Sequence, residues 1–454
     1  MDKLDADKTQ FEQCEAVASL KDVDANATKI GPDEFGFSPE YQKKIIRRID
    51  YRLIITIGLM YCISLVDRDN MGSANLAGMG KELKLNGFRY NIANLVFFIT
   101  YTLLQAPSTV IIRYLGPRIH LATIIVLFGA IVISMGFAKN FAQLTGMRLI
   151  LGALEAGFFP SYEVGKRYSA FWFIGCVTQS LSGILAYGLM HLGGHGGLTG
   201  WRWIFIIEGI MTCVARVIGF FLLVDFPDSR RSTWKFLNQQ ELDWVVSRIE
   251  ADRGDTNVPP FNLRKFLSYG TDWKIWAYGI ILGNTTAVGF ALAYTLPIIL
   301  NENLGFSIAA AQCLVAPPYF FAGLLMSLTG WAGDKYQVRG PIILINMVIA
   351  LIGLPIMGWH PDPAVRYFGV FLVTGGTNSN MPAAMAFQAN NVRGQWKRAL
   401  CSATLVGLGG IGGVAGSLVF RAQDRASGYK PGMIMLLPIF DTPTDMPRII
   451  RPAN

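Results

Sequence analysis

Charge is scarce in this chain of 454 residues, with Asp, Glu, Lys and Arg making up 16% of it. An ordinary soluble protein carries about a quarter. Histidine is scarcer still: the four (His120, His191, His195 and His360) fall at or beyond the ends of apolar segments, which leaves a buried histidine proton relay without support. The six cysteines (Cys14, Cys62, Cys176, Cys213, Cys313 and Cys401) have neither metal-ligand nor redox spacing and read as packing residues. No paired catalytic carboxylates and no Cys/His set are spaced for chemistry, so an enzyme is the least favoured reading, and neither metal nor cofactor is expected. The first fifty residues lack an apolar h-region, so no cleavable signal peptide is predicted and the first span must itself direct insertion.

What is abundant is apolar sequence. Hydrophobic residues make up 52% of the chain and glycine supplies 48 positions, as expected where membrane helices pack closely through small residues. The net charge is +9, but the basic residues sit in short hydrophilic stretches between apolar runs, where they set topology rather than bind nucleic acid. Residues 1–50 read as a disordered cytoplasmic tail whose last part carries Lys43, Lys44, Arg47 and Arg48. Spans follow at about 51–74, 91–112, 119–138, 141–161, 168–190 and 203–224. A cytoplasmic linker occupies 225–272, with a surface helix over Gln239 to Asp252, and further spans are expected at about 273–299, 308–331, 341–359, 366–389 and 399–420. Connections on the predicted inner side carry roughly twice the Lys and Arg of those outside. In the irregular tail 421–454, the apolar piece Gly432 to Phe440 is too short to cross a bilayer as a helix. The predicted fold is therefore an all-α polytopic membrane protein with a six-helix bundle at 51–224 and a five-span bundle at 273–420. Either the chain has eleven spans or its last helix is missing.

The first span raises the sharpest question. Its apolar run, Leu53 to Val66, goes straight into Asp67, Arg68, Asp69 and Asn70, which puts Arg68 about 22 Å along the helix and still within about 30 Å of hydrocarbon. An arginine there costs on the order of 3 kcal/mol unless it faces a cavity or a partner, so it reads as a functional residue. The alternative is that the span ends at Val66 and these charges lie in the interface.

Internal repetition supports two equivalent halves. GWAGDKYQVR (Gly330 to Arg339) after span 8 has a degenerate counterpart, IIRYLGPR (Ile111 to Arg118), after span 2. Parallel six-helix halves of this kind are the architecture of major facilitator transporters. From Ile49 to about Lys430 the chain resembles the fungal anion:cation symporter family of allantoate, nicotinate and pantothenate permeases. The resemblance is carried by IDYRL and LVDRDNMGSAN around span 1, LGALEAGFFP (Leu151 to Pro160), GWRWIFIIEG (Gly200 to Gly209), DFPDS after span 6, and GGTNSNMPAA with NNVRGQWKRA around span 10. It departs from the family in two places. Pro160 runs directly into Ser161, Tyr162 and Glu163 where relatives have about a dozen more residues, and a twelfth span is missing, so this form is expected to transport poorly if at all.

The resemblance implies proton-coupled uptake of a small organic anion by a plasma-membrane monomer, with a multidrug antiporter or a non-transporting nutrient sensor as rivals. Charges within the spans are confined to the first half. Arg68 and Arg148 are the expected anion anchors, and Asn284, Tyr294, Asn378 and Asn380 supply donors from the second half. Arg148 and Glu155 are two helical turns apart and share one face. Glu155, with Asp67, is the expected proton-coupling site, because a carboxylate in a low-dielectric cavity changes charge as protons or substrate arrive. Asp334 and Arg339 read as the gating-loop clamp. Glu208 and Arg216 read as structural, and the glycines from Gly407 to Gly416 as close-packing positions.

Overall fold

The computed structural model describes residues 36–49, 66, 70–115, 117–156, 168–222, 237–253, 263–336, 338–392 and 395–440. Asp67, Arg68 and the junction after Pro160 lie outside the described residues. The chain divides into two units, a small one from residues up to Ile49 with 225–259 and a large one from all the rest.

In the small unit, residues 39–49 form helix α1, a correction to the structureless tail expected over 1–50. Ser38 Oγ caps it by accepting the Tyr41 N–H at 3.3 Å, and Pro39 suits the first helical position because its missing N–H has no partner to lose there. Isoleucines at 45 and 49, four apart, are buried on one side, so the stretch is amphipathic where composition alone suggested polarity. Helix α8 (Gln239–Arg253) is its partner. Phe37 meets Trp244 edge-on at 6.3 Å, and the buried Glu241 accepts from the Tyr41 hydroxyl at 2.7 Å and from the Asn238 N–H at 2.8 Å.

The large unit holds the bundle. Helix α2 runs over 70–82, ending eight residues beyond Ala74, the predicted end of the first span. A π-helical turn, Asn75–Met79, contains Gly78 at φ 112°, a left-handed backbone that a side chain would oppose. The others are α3 (Arg89–Leu115), α4 (Pro117–Met135), α5 (Phe141–Glu155), α6 (Tyr168–Met190) and α7 (Gly200–Leu222), then α9 (Leu263–Ser268), α10 (Trp273–Glu302), α11 (Ile308–Cys313), α12 (Ala316–Tyr336), α13 (Arg339–Trp359), α14 (Pro363–Asn391), α15 (Gln395–Val419) and α16 (Lys430–Phe440). Short connections make neighbours antiparallel, so the bundle has a linker end, where α7 stops and α10 starts, and a far end opposite.

The two halves repeat each other's packing. In the first, α3 lies on α5 and α4 on α7; in the second, α12 lies on α14 and α13 on α16. The eleven-residue α16, about 16 Å long, thus stands where a twelfth span would, with Met433 against Gly358 of α13. Across the halves, α3 packs on α15 and α6 on α12. The glycine-rich α15 lies close enough to α10 that a Cβ on Gly412 would collide with the Gly283 carbonyl and the Thr286 hydroxyl, and that hydroxyl donates to the Gly409 carbonyl at 2.9 Å. This is the close packing that the small residues predicted.

A carboxylate ties the far end of the first half together. Glu82, at the end of α2, accepts from Thr199 Oγ1 at 2.8 Å, Trp201 Nε1 at 2.5 Å and Arg202 Nη2 at 2.7 Å. Arg202 also donates to the Gly136 carbonyl at 2.9 Å and lies over the Trp201 ring. The Gly-Trp-Arg-Trp stretch is therefore a clasp joining α2, α4 and α7. Partial burial pushes the Glu82 carboxyl up, but the hydrogen bonds from Arg202, Trp201 and Thr199 outweigh it and hold the group below its ordinary value.

Candidate functional site

The site grows out of α5. Asn140 starts this helix by accepting the Gln143 N–H, and its buried face is Leu144, Arg148, Leu151, Gly152 and Glu155, a helical stripe with two charges in it. Gly152 permits close approach to α3: a Cβ there would strike the Phe97 carbonyl and the Thr100 hydroxyl. That hydroxyl reaches the Leu149 carbonyl at 3.0 Å. With the two helices this near, the Arg148 guanidinium lies 4.9 Å from the centre of the Phe97 ring. Its Nη2 donates to Asn94 Oδ1 at 2.7 Å.

The second half closes over this cation. Tyr294 of α10 places its ring 5.9 Å from the guanidinium, and Phe98, Phe290 and Tyr294 form an aromatic patch with centroids 4.8 to 6.5 Å apart. Arg148 is 0% exposed and Tyr294 1%. An arginine stays charged under any conditions a protein meets, so this arrangement is a permanent cation sealed between aromatic faces from both halves. The faces stabilise it by about 0.5 to 2 kcal/mol per ring, and the Asn94 oxygen supplies a polar contact.

Of the other expected site residues, Glu155 ends the same helix two turns away and is 3% exposed. Asn284 is half-buried on α10, ten residues toward the linker end from Tyr294. Asn378 and Asn380 are buried on α14, but their amides are directed elsewhere: Asn378 donates to the Thr374 carbonyl of its own helix at 2.9 Å, and Asn380 to the Ile343 carbonyl of α13 at 3.3 Å. The structure thus joins Arg148 with Tyr294 and does not bring Asn380 to them. Asp334 and Arg339 meet as a half-exposed ion pair beside a cleft with a cavity volume of about 20 Å³, also lined by Ser379 and Pro382. That cleft lies at the linker end of the second half and is separate from the Arg148 cluster. Asn70 is helical, 1% exposed, and neither of its amide atoms has a hydrogen-bond partner among the described residues. Asn70 thus opens a helical stretch with a buried polar side chain. Glu208 is buried on α7, where Thr212 donates to its backbone carbonyl.

Sequence reasoning passed over Tyr90, Asn94 and Phe97. They recur with Tyr101 at helical spacing on one face of α3, and that mixed aromatic and amide stripe was the available signal.

Two helical halves that repeat each other's packing, with a buried cation at their seam among the described residues, define a bundle of the kind that spans a membrane. The sequence model of the Major Facilitator Superfamily matches residues 57–417, and the chain belongs to that family. Its relatives include an MFS-type transporter of Penicillium expansum, 31% identical over 88% of this chain and 82% of that protein. A high-affinity nicotinic acid transporter of Saccharomyces cerevisiae is 28% identical over 85% of this chain and 73% of that protein. Among solved structures, a bacterial homologue of the human lysosomal transporter Spinster, inward-facing and unoccupied, aligns with a TM-score of 0.60 at 14% identity over 84% of this chain and 82% of that one. The human organic anion transporter MFSD10 aligns at 0.58 and 14%, over 86% and 97%. The protein is a multi-pass membrane transporter of the fungal permease kind.

Proposed function

We propose that this transporter carries a small organic carboxylate into the cell together with a proton, as a monomer in the plasma membrane with its N-terminus and linker on the cytoplasmic side. The observation that carries the reading is Arg148, a fully buried guanidinium at the seam between the halves. A carboxylate arriving there exchanges weak ring contacts for a charge-assisted, two-pronged pair of matching geometry. Glu155, buried two turns along the same face, is the proton carrier, because in a low-dielectric setting its protonation responds to whether the neighbouring cation is already paired. Arg68 is the second anchor proposed for the anion, Asp67 a second proton site, and Asn284 a polar contact from the other half. Asp334 and Arg339 are the proposed gating-loop clamp. The carboxylate class is also supported by the nicotinic acid transporter among the relatives.

Purified protein whose junction after Pro160 carries the loop of a relative tests this in liposomes with an acidic exterior. Labelled nicotinate, pantothenate, allantoate and ureidosuccinate are compared with neutral amides such as nicotinamide. Accumulation of at least one carboxylate, without the amide and abolished by a protonophore, is the expected result. Equal uptake of acid and amide, or uptake indifferent to the pH gradient, would refute the proposal.

A further inference from the structure

We propose that Tyr90 and Asn91 are positioning residues of the transport cycle, forming a latch that holds the two halves together at the far end of the bundle. They open α3 on the first half, and both donate across the seam to backbone carbonyls of the second. Asn91 Nδ2 lies 2.6 Å from the Ser417 carbonyl and 2.9 Å from that of Phe420. The Tyr90 hydroxyl lies 2.9 Å from the Tyr294 carbonyl. Asn91 is 2% exposed and Tyr90 7%.

The chemistry of the acceptors explains why this is a latch rather than ordinary packing. The last four carbonyls of a helix have no partner within it. Ser417 belongs to the last turn of α15 and Phe420 follows its end, so one amide from the opposite half caps the terminus of that helix. When the halves part at this end, water takes over the carbonyls, and because Tyr90 and Asn91 are neutral no charge is stranded. Bonds of this kind close firmly and break reversibly, as alternating access requires. The backbone is arranged to let them form: Gly72 of α2 packs directly against the Tyr294 carbonyl and Pro297, and Gln312 Nε2 reaches the Ser73 carbonyl at 3.4 Å across the same seam. The latch also touches the site. Tyr90 holds the backbone of the residue whose ring faces Arg148, so a change in what Arg148 contacts bears on the latch through Tyr294.

Ser73, 7% exposed just behind the latch, supplies the reporter. In full-length protein carrying Ser73→Cys, alkylation of that position by a polar maleimide is followed by peptide mass spectrometry in membrane fragments open on both faces, which separates it from the native cysteines. Tyr90→Phe is expected to raise the labelling rate about fivefold, the shift that losing a single hydrogen bond of ordinary strength produces, and Asn91→Ala, which loses two, about thirtyfold. The melting temperature should stay near that of the parent. Asn391→Ala, which removes a bond internal to α14, should leave the rate unchanged. If Asn91→Ala does not fold, Tyr90→Phe, the loss of one oxygen atom, decides alone. Unchanged labelling in folded Tyr90→Phe protein, or an equal rise in Asn391→Ala, overturns the proposal.

Discussion

Replacing Arg148 with alanine separates a binding residue from a structural one, because the two roles predict opposite outcomes. In the fold, the substitution removes the charge-assisted bond to Asn94 at 2.7 Å, a loss of about 1.5 to 3 kcal/mol. It also removes the contacts over Phe97 and Tyr294, about 1 kcal/mol each. Against this stands the relief of keeping a guanidinium out of water at 0% exposure, a cost of several kcal/mol. The terms nearly cancel, so Arg148→Ala protein should reach the membrane and melt within a few degrees of the parent. Binding has no such compensation. Cutting one partner from a buried, hydrogen-bonded charge pair costs about 2 to 5 kcal/mol, a thirtyfold to several-thousandfold loss of carboxylate affinity. Arg148→Lys keeps the charge but loses the planar fork and the ring stacking, and should fall between. Fluorescence-detected size-exclusion gives the melting temperature, and displacement of a labelled carboxylate gives the affinity. A well-folded Arg148→Ala protein that binds carboxylate within threefold of the parent would refute the reasoning, and one that fails to fold would make Arg148 a structural residue.

Glu155→Gln keeps size and most hydrogen bonding but cannot exchange a proton; counterflow between preloaded vesicles should persist while pH-driven accumulation disappears, and retained accumulation would exclude Glu155. The Glu82 clasp should be acid-labile: its carboxyl sits below the ordinary value of 4.5, so the stability it adds is complete above that pH and is lost as pH falls through the lower folded value. Melting scans from pH 6 to 3 should show a steeper decline for the parent than for Glu82→Gln, and parallel declines would contradict the clasp. Gly412→Val would drive a side chain into the Gly283 carbonyl and the Thr286 hydroxyl; overpacking of that kind costs about 1 to 3 kcal/mol, seen as a lower melting temperature, whereas Gly407→Ala, with open space around it, should be neutral.

The helical halves were legible because each rests on a long apolar run bounded by charge, a signal that survives reading one sequence alone. Helix α6 begins and ends at the expected residues 168 and 190, and Arg148 and Glu155 were placed on one face by spacing alone, as α5 shows. The end of the first span was placed at Ala74 because the glycines and charges from Asn75 to Glu82 break the apolar run. In the bundle, Asn70 is buried and the helix runs on to Glu82. Residues 39–49 were read as tail because their basic side chains mask two buried isoleucines. Asn380 was assigned to the substrate on composition, but which way an amide points depends on rotation about α14, and a neighbouring carbonyl on α13 takes it. Glu82 carries no local hint of its role, since its three donors lie 117 to 120 residues away.

The uneven distribution of charge has a mechanical consequence. The described cation at the seam belongs to the first half, while the second contributes Tyr294 and Phe290 from α10 and backbone carbonyls from α15. The guanidinium lies between rings of both halves, Phe97 of the first and Tyr294 of the second. If the far end opens, Arg148 exchanges about 1 kcal/mol of contact with the Tyr294 ring for hydration, so the empty carrier meets little resistance at the site itself. The resistance then resides in the bonds of Tyr90 and Asn91, which number three and are worth about 1 kcal/mol each. A barrier of that size is too small to lock the carrier and large enough to bias it. An anion that pairs with Arg148 and draws it off Tyr294 would weaken the hold on the one carbonyl that site and latch share. Substrate could then set the latch without touching it, because Tyr294 belongs to both.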